Sequence, residues 1–193
     1  MNRRIFLMNA GAALGATGLV LTGCTTTRPD APADHAARRN EIDSGADGTL
    51  SRLYSSVRGA RDLGGRAQGI LVFPRVLSGG LGIGGEYGDG VLRTGGRADG
   101  YYRLIGGSLG WQIGGQSQAI VLMFLTQDAL DRFRNSKGWT IGADATVSVA
   151  KVGATGDIDS NTIKQSVVGF ALTNVGLFAG IKLDGSKITR LDL

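Results

Sequence analysis

The amino-acid sequence predicts an α+β fold: an antiparallel, β-rich curled sheet or barrel, with N-terminal amphipathic helices and one helix inserted between strands. Three observations predict it. Residues 36–67 repeat apolar side chains at helical spacing, residues from Gly69 onward alternate with the period of a strand, and glycine occupies 33 of 193 positions. Glycine permits tight turns and close approach of backbones, so its abundance among short strands favours a sheet that curls.

The helical segment is both amphipathic and basic. Its apolar side chains follow the three- and four-residue spacing of one helix face, and four arginines lie off that face or near its edge. The apolar set is Leu50, Leu53, Tyr54 and Val57, and the arginines are Arg52, Arg58, Arg61 and Arg66. Such a helix either rests on anionic lipid or packs on its own domain with a solvated basic side.

After this segment, short strand patterns alternate with turn signals. The first predicted strand ends at Pro74, and residues 86–90 are predicted to form a turn. One helix interrupts the series, with Thr126 as its N-cap and Leu130 and Phe133 on its inward face. The predicted strands cover 70–73, 81–88, 90–94, 101–105, 109–115, 119–125, 140–152, 166–173, 177–183 and 186–191.

The N-terminus has the layout of a bacterial lipoprotein signal. A basic start precedes an apolar run of about a dozen residues, which is shorter than the roughly 20 residues that span a bilayer. The run ends in Leu21-Thr22-Gly23-Cys24, and Cys24 is the only cysteine. We therefore expect a signal peptide at 1–23, acylation of Cys24, an acylated tether at 24–35 and one domain at 36–193.

The same region predicts an address in the cell envelope. Residues 2–7 resemble a twin-arginine export signal, and an ordinary basic signal start explains them equally well. The resemblance to sorted lipoproteins implies transfer to an outer membrane, because Thr25, instead of an aspartate, follows the modified cysteine. The prediction is a protein that is lipid-anchored to the bacterial outer membrane, on its periplasmic face.

Composition argues against several function classes. Loss of the signal peptide lowers the net charge from +5 to +3, which is a weak surplus for a nucleic-acid binder. His35 is the only histidine, so sites built on Ser-His-Asp, Cys-His or zinc lack their ligands. We therefore expect no enzymatic activity, no cofactor, no metal and no nucleic-acid partner.

Three motifs resemble known sites but lack essential parts. The glycine run 80–85 has the spacing of a dinucleotide fingerprint but is followed by turn residues instead of a helix. Asp157, Asp159 and Asn161 have calcium-loop spacing without the glycine and glutamate that complete the loop, which favours a polar hairpin. Glu86 and Asp89 form a carboxylate pair that surface turn residues explain as well as acid–base chemistry does.

From about Leu50 to Leu193 the chain resembles the SYLF-domain family. The resemblance rests on Gly69-Ile70-Leu71-Val72-Phe73-Pro74, Gly80 through Gly90 with Val91-Leu92, Tyr102, residues 108–114, Phe124, the helix from Leu130 to Phe133, residues 141–144 and Gly176-Leu177-Phe178-Ala179-Gly180. It implies binding to anionic phospholipid through the basic segment Leu50 to Ala67. Actin, a partner of eukaryotic relatives, is not expected here, because the predicted location is the bacterial envelope.

The leading hypothesis is therefore a lipoprotein whose domain binds anionic phospholipid through Arg52, Arg58, Arg61 and Arg66. The alternative is a non-enzymatic envelope scaffold with a protein partner, in which lipidation supplies the only membrane contact. A third hypothesis is a lipid carrier with an apolar cavity inside the curled sheet.

Overall fold

The computed structural model describes residues 32–110, 116–150, 158, 164–173, 176–177 and 185–193. Within these ranges the chain forms three helices and eight strands. In chain order they are α1 (Pro32–Ser56), α2 (Ala60–Arg66), β1 (Gly69–Thr94), β2 (Arg97–Gly110), β3 (Gln116–Phe124), α3 (Gln127–Asn135), β4 (Trp139–Thr140), β5 (Ser148–Val149), β6 (Val167–Thr173), β7 (Gly176–Leu177) and β8 (Lys187–Leu191). The α+β class predicted from the sequence is confirmed.

The N-terminal helical segment consists of two helices. The first begins at Pro32, inside the segment assigned to the tether, and proline is well suited to the first turn of a helix. The chain leaves helical geometry before Gly59, whose φ of 79° lies in the left-handed region that favours glycine. The second helix starts immediately after it. Each helix buries one face, through Leu53 in α1 and Leu63 in α2, and Val57 in the connection between them is buried as well.

The strands β1 and β2 form one long antiparallel hairpin. Gly95 and Gly96 form its turn with φ values of 57° and 78°, as a tight two-residue turn requires. The sequence-based prediction of separate strands over this region was wrong. Pro74 does not end β1, because the pairing of β1 with β3 shifts between Phe73 and Val76, where a missing N–H is tolerated.

Residues 86–90 were predicted as a turn, and this prediction was also wrong, because they lie inside β1 and pair with β2. The glycine run 80–85 likewise lies inside β1 and opens no helix. The glycines and acidic residues at 86–90 are turn signals when taken alone, but the long ladder to β2 keeps the backbone extended there.

The sheet curls into a half-barrel with the order β4-β8-β2-β1-β3-β6-β5, and β7 pairs with β6. Its ladders are antiparallel except for β5 with β6. The curl brings the two halves of β1 together: a Cβ added at Gly90 would lie 2.4 Å from the carbonyl oxygen of Val72. The expectation that glycine serves close backbone approach is met at this position.

A hydrophobic core lies on each face of the sheet. The concave side holds α3 and an aromatic group, in which the ring centroids of Phe133 and Trp139 are 5.4 Å apart. The opposite side is covered by α1 and α2. The helix α3 has the predicted cap, since the Thr126 hydroxyl accepts a hydrogen bond from the Ala129 N–H, and Leu130 and Phe133 are buried as predicted.

The later strand predictions had mixed outcomes. Strands predicted at 119–125, 166–173 and 186–191 are confirmed as β3, β6 and β8. The strand predicted at 140–152 was wrong: a turn with Gly142 at φ 90° separates β4 from β5. Parts of the strands predicted at 109–115, 140–152 and 177–183 lie outside the described residues, as do Cys24, the signal peptide and the calcium-like residues at 157, 159 and 161.

Candidate functional site

Helix α1 is joined to the hairpin by an array of charged and polar contacts. Arg38 pairs with Asp89 of β1, and the Arg103 Nε donates to the same carboxylate at 2.9 Å. Further along the helix, the Tyr101 hydroxyl donates to Asp43 Oδ2 at 2.9 Å. Arg93 of β1 pairs with acidic residues of the helix as well. These contacts fix the position of α1 over the sheet.

Asp89 is the centre of this array. Its side chain is only 14% exposed and lies between Arg38 and Arg103. Burial alone would raise the pKa of the Asp89 carboxyl, but hydrogen bonds from Arg103 and Arg38 outweigh burial and hold the pKa below its usual value. Asp89 is therefore an ionised structural anchor.

A hollow of about 750 Å³ lies beside this anchor, between α1 and β1, and is here called the α1–β1 groove. Gly45 of the helix faces Pro74 of the strand so closely that an added Cβ would lie 2.8 Å from the proline Cβ. The groove is lined by Arg38, Glu41, Ile42, Ser44, Gly45, Gly48, Thr49, Arg52, Pro74, Arg75, Leu77, Tyr87, Gly88 and Asp89.

Some of the arginines in the groove have an acidic partner among the described residues and others do not. Arg38 is engaged by Asp89, whereas Arg52 and Arg75 are exposed and form no ion pair with any residue that the structure describes. Glu41 is the remaining acidic residue of the lining. Beside the two unpaired guanidinium groups lie the apolar side chains of Leu77 and Tyr87. The groove thus combines anion-binding groups with an apolar wall.

The four predicted arginines are all exposed, but the structure does not bring them to one place. Arg52 lines the α1–β1 groove. Arg61 lies 4.9 Å from the ring centroid of Tyr54, in a second hollow of about 450 Å³ near the hairpin turn. Arg58 and Arg66 line neither hollow. Of the two interpretations of the helical segment, the structure shows the packed one, because its main apolar residues belong to the core.

Sequence reasoning missed Arg38, Arg75 and the apolar wall of the groove. A signal for the helical side was present: Arg38 and Arg52 are 14 residues apart, close to four helical turns, and Gly45 lies midway on the same side. No comparable pattern marks Arg75, because its place in the groove depends on the uninterrupted course of β1 past Pro74. The third hypothesis expected a cavity inside the curled sheet; among the described residues, a cluster of buried aromatic and aliphatic side chains lies there.

The described residues show neither a membrane-spanning helix nor a group of metal ligands. None of its helices combines the length and apolar character needed to cross a bilayer. In the same ranges, no three His, Cys, Asp or Glu side chains group together in a way that would hold a metal ion.

Residues 105–192 match the family model Ysc84, described as Las17-binding protein actin regulator. This model represents the SYLF domain, so the resemblance predicted from the sequence is confirmed for that part of the chain. No curated protein matches the chain. The residues that line the α1–β1 groove all precede the matched segment.

Proposed function

We propose that this protein binds anionic phospholipid at a membrane surface through the α1–β1 groove, because residues 105–192 match the SYLF-domain family, a family of lipid-binding and actin-regulator-type domains. The observation that carries the proposal is the pair Arg52 and Arg75, two exposed cations that have no acidic partner among the described residues and lie beside an apolar wall. Las17 binding and actin regulation are not proposed for this chain, because its predicted location is the bacterial envelope.

The chemistry of the groove fits a phospholipid headgroup. A guanidinium group donates two parallel hydrogen bonds to phosphate oxygens, which gives geometric selectivity as well as charge attraction. Each arginine near an anionic surface contributes about 1 kcal/mol, and salt screens this term over about 8 Å at physiological ionic strength. The exposed Arg58, Arg61 and Arg66 lie outside the groove and would add only a long-range, salt-screened attraction.

Membrane attachment by Cys24 is the second part of the proposal. Seven residues separate Cys24 from the first residue of α1, so even a fully extended connection is shorter than about 30 Å. An acylated Cys24 in the outer membrane would therefore keep the groove within reach of headgroups. Tethering raises the effective concentration of the second contact, so modest headgroup affinity is sufficient.

The test is vesicle binding by the full chain carrying Cys24→Ser, which removes the predicted acylation. Phosphatidylcholine vesicles with graded phosphatidylglycerol are compared at low and physiological salt. Pure phosphatidylcholine vesicles measure any contribution of the apolar N-terminus. Binding should rise with anionic lipid and weaken with salt.

The site is tested with two paired variants of equal charge. R52A/R75A should weaken binding by roughly 30-fold at low salt, since two contacts of about 1 kcal/mol are lost. The control R97A/R132A removes two arginines from the hairpin turn and α3, and should weaken binding by less than about threefold. Equal losses in the two pairs would show that the groove has no special role. Absence of binding to all vesicles would reject the proposal in favour of the scaffold, with lipidation as the only membrane contact.

A further inference from the structure

The convex side of the sheet carries an exposed apolar strip. Leu77, Tyr87 and Ile105 are the large hydrophobic side chains that remain exposed in the part of the chain that the structure describes, at 52%, 43% and 53%. Leu77 and Tyr87 line the α1–β1 groove. These three residues are here called the apolar strip.

The register of the hairpin places two members of the strip side by side. Tyr87 of β1 lies directly opposite Ile105 of β2, and directly opposed residues project from the same face of an antiparallel pair. On β2 this face also carries Tyr101 and Arg103, which contact Asp43 of α1 and Asp89. The helix therefore covers one end of this face and leaves the end with Ile105 open.

Cations surround the strip. The Arg103 guanidinium lies 4.9 Å from the ring centroid of Tyr87. Lys187 of β8 is directly opposite Ile105 and is exposed, and Arg75 lies two residues from Leu77 in the wall of the groove. Apolar and tyrosine side chains flanked by arginine and lysine match the interface of an anionic bilayer, where apolar groups meet acyl chains and cations meet phosphates.

The helices offer no such surface. Leu53, Val57 and Leu63 are buried against the sheet, so α1 and α2 can present arginines to a membrane but lack large exposed apolar side chains within the described residues. Insertion by the helical segment would require these residues to leave the core. Insertion by the strip requires no rearrangement.

We infer that the protein docks on anionic membranes through the convex face of its sheet, with Leu77, Tyr87 and Ile105 entering the headgroup–acyl boundary while the groove arginines contact phosphates. This inference rests on the proposed function and adds the orientation of the domain and the residues that enter the bilayer. A protein partner on the same face is the competing interpretation, and vesicle binding with both labelled positions outside the bilayer would favour it.

The experiment uses the unique cysteine of the chain. The variant Cys24→Ser has no thiol, so Ile105→Cys and, separately, Ala98→Cys each introduce one site for an environment-sensitive fluorophore. Ala98 is exposed at the turn end of the same strand, roughly 20 Å from Ile105 along the extended chain. Both labelled chains are titrated with phosphatidylglycerol-containing vesicles, with and without brominated acyl chains.

The inference predicts a blue shift and bromolipid quenching at position 105 and neither at position 98. Separately, I105S should weaken vesicle binding by about tenfold at both low and physiological salt, because burial of apolar surface is little affected by screening. R52A/R75A should instead weaken vesicle binding mainly at low salt, and so reduce the salt dependence of binding.

The chain could bind anionic vesicles while neither fluorophore shows a blue shift or bromolipid quenching. This result would overturn the inference and leave the proposed function intact. Quenching at position 98 alone would overturn it too, since the opposite end of the hairpin would then face the bilayer. Failure of the C24S chain to bind any anionic vesicle would reject the inference together with the proposed function.

Discussion

Replacement of Asp89 by asparagine tests whether an ionised carboxylate holds helix α1 on the hairpin. Asparagine keeps the shape of the side chain and one acceptor oxygen but removes the charge. Arg38 and Arg103 donate to different oxygens of the carboxylate, so asparagine leaves an acceptor for one arginine and turns an NH2 donor towards the other. Hydrogen bonds to charged groups contribute about 1.5–3 kcal/mol, so we expect the two contacts together to lose about 2 kcal/mol.

The estimate is reduced because the partners are partly solvated: Arg38 is 39% exposed and Arg103 26%. We expect D89N to lower the free energy of unfolding by about 1.5 kcal/mol at pH 7. For a chain of this size that corresponds to a fall in Tm of about 3–6 °C.

The Tm difference between the parent protein and D89N should depend on pH in a defined direction. Because the pKa of Asp89 is lowered in the folded state, its stabilisation is complete above the usual aspartate pKa and is lost as the pH falls through the lower folded-state value. The Tm difference between the parent and D89N should therefore be constant near neutral pH and shrink below about pH 4.

Thermal unfolding followed by circular dichroism, in steps from pH 7 to pH 2.5, measures this difference. D192N is the matched control, because Asp192 is exposed and the change should leave Tm within about 1 °C. A difference for D89N that persists unchanged in acid would refute the role assigned to the ionised carboxylate.

Three glycine substitutions test the packing around the groove and at the curl of the sheet. G45A should lower stability by about 1 kcal/mol, because the new Cβ meets Pro74 at 2.8 Å, whereas G48A, with nothing within 4 Å, should raise it by up to about 1 kcal/mol through helix propensity. Urea denaturation distinguishes the two, and shifts of equal sign would contradict the packing described for α1. G90A should lower the free energy of unfolding by more than about 3 kcal/mol, because the new Cβ would lie 2.4 Å from the backbone oxygen of Val72. A soluble variant with the Tm of the parent protein would show that the halves of β1 are farther apart than described.

Much of the fold was predictable because local patterns and tertiary packing agree. The helix around Leu130 and Phe133 combines a good cap with a clear apolar face, and both signals are local. The course of β1 was not predictable in the same way. Pro74 and the surrounding glycines are turn signals in isolation, and only pairing with β2 and β3 keeps this stretch extended.

The candidate site was likewise only partly predictable from the sequence. The arginines of the helical segment were found because they follow a helical period, and their exposure agrees with that pattern. Arg75 could not be added to Arg52 from sequence, since the two are 23 positions apart and meet only where α1 crosses β1. Surface charge can be read from a local pattern, but a groove between two elements depends on their packing.

The position of β8 has a consequence for how the chain acquires its structure. The strand lies between β2 and β4, and its pairing joins Tyr101 to Leu191, which are 90 residues apart. Ladders between such distant residues slow folding, because a long loop must close before they form. Until residues 187–191 are synthesised, the outer edge of the hairpin has no partner strand. A nascent or truncated chain would therefore expose a long unpaired edge, the kind of template on which polypeptides aggregate.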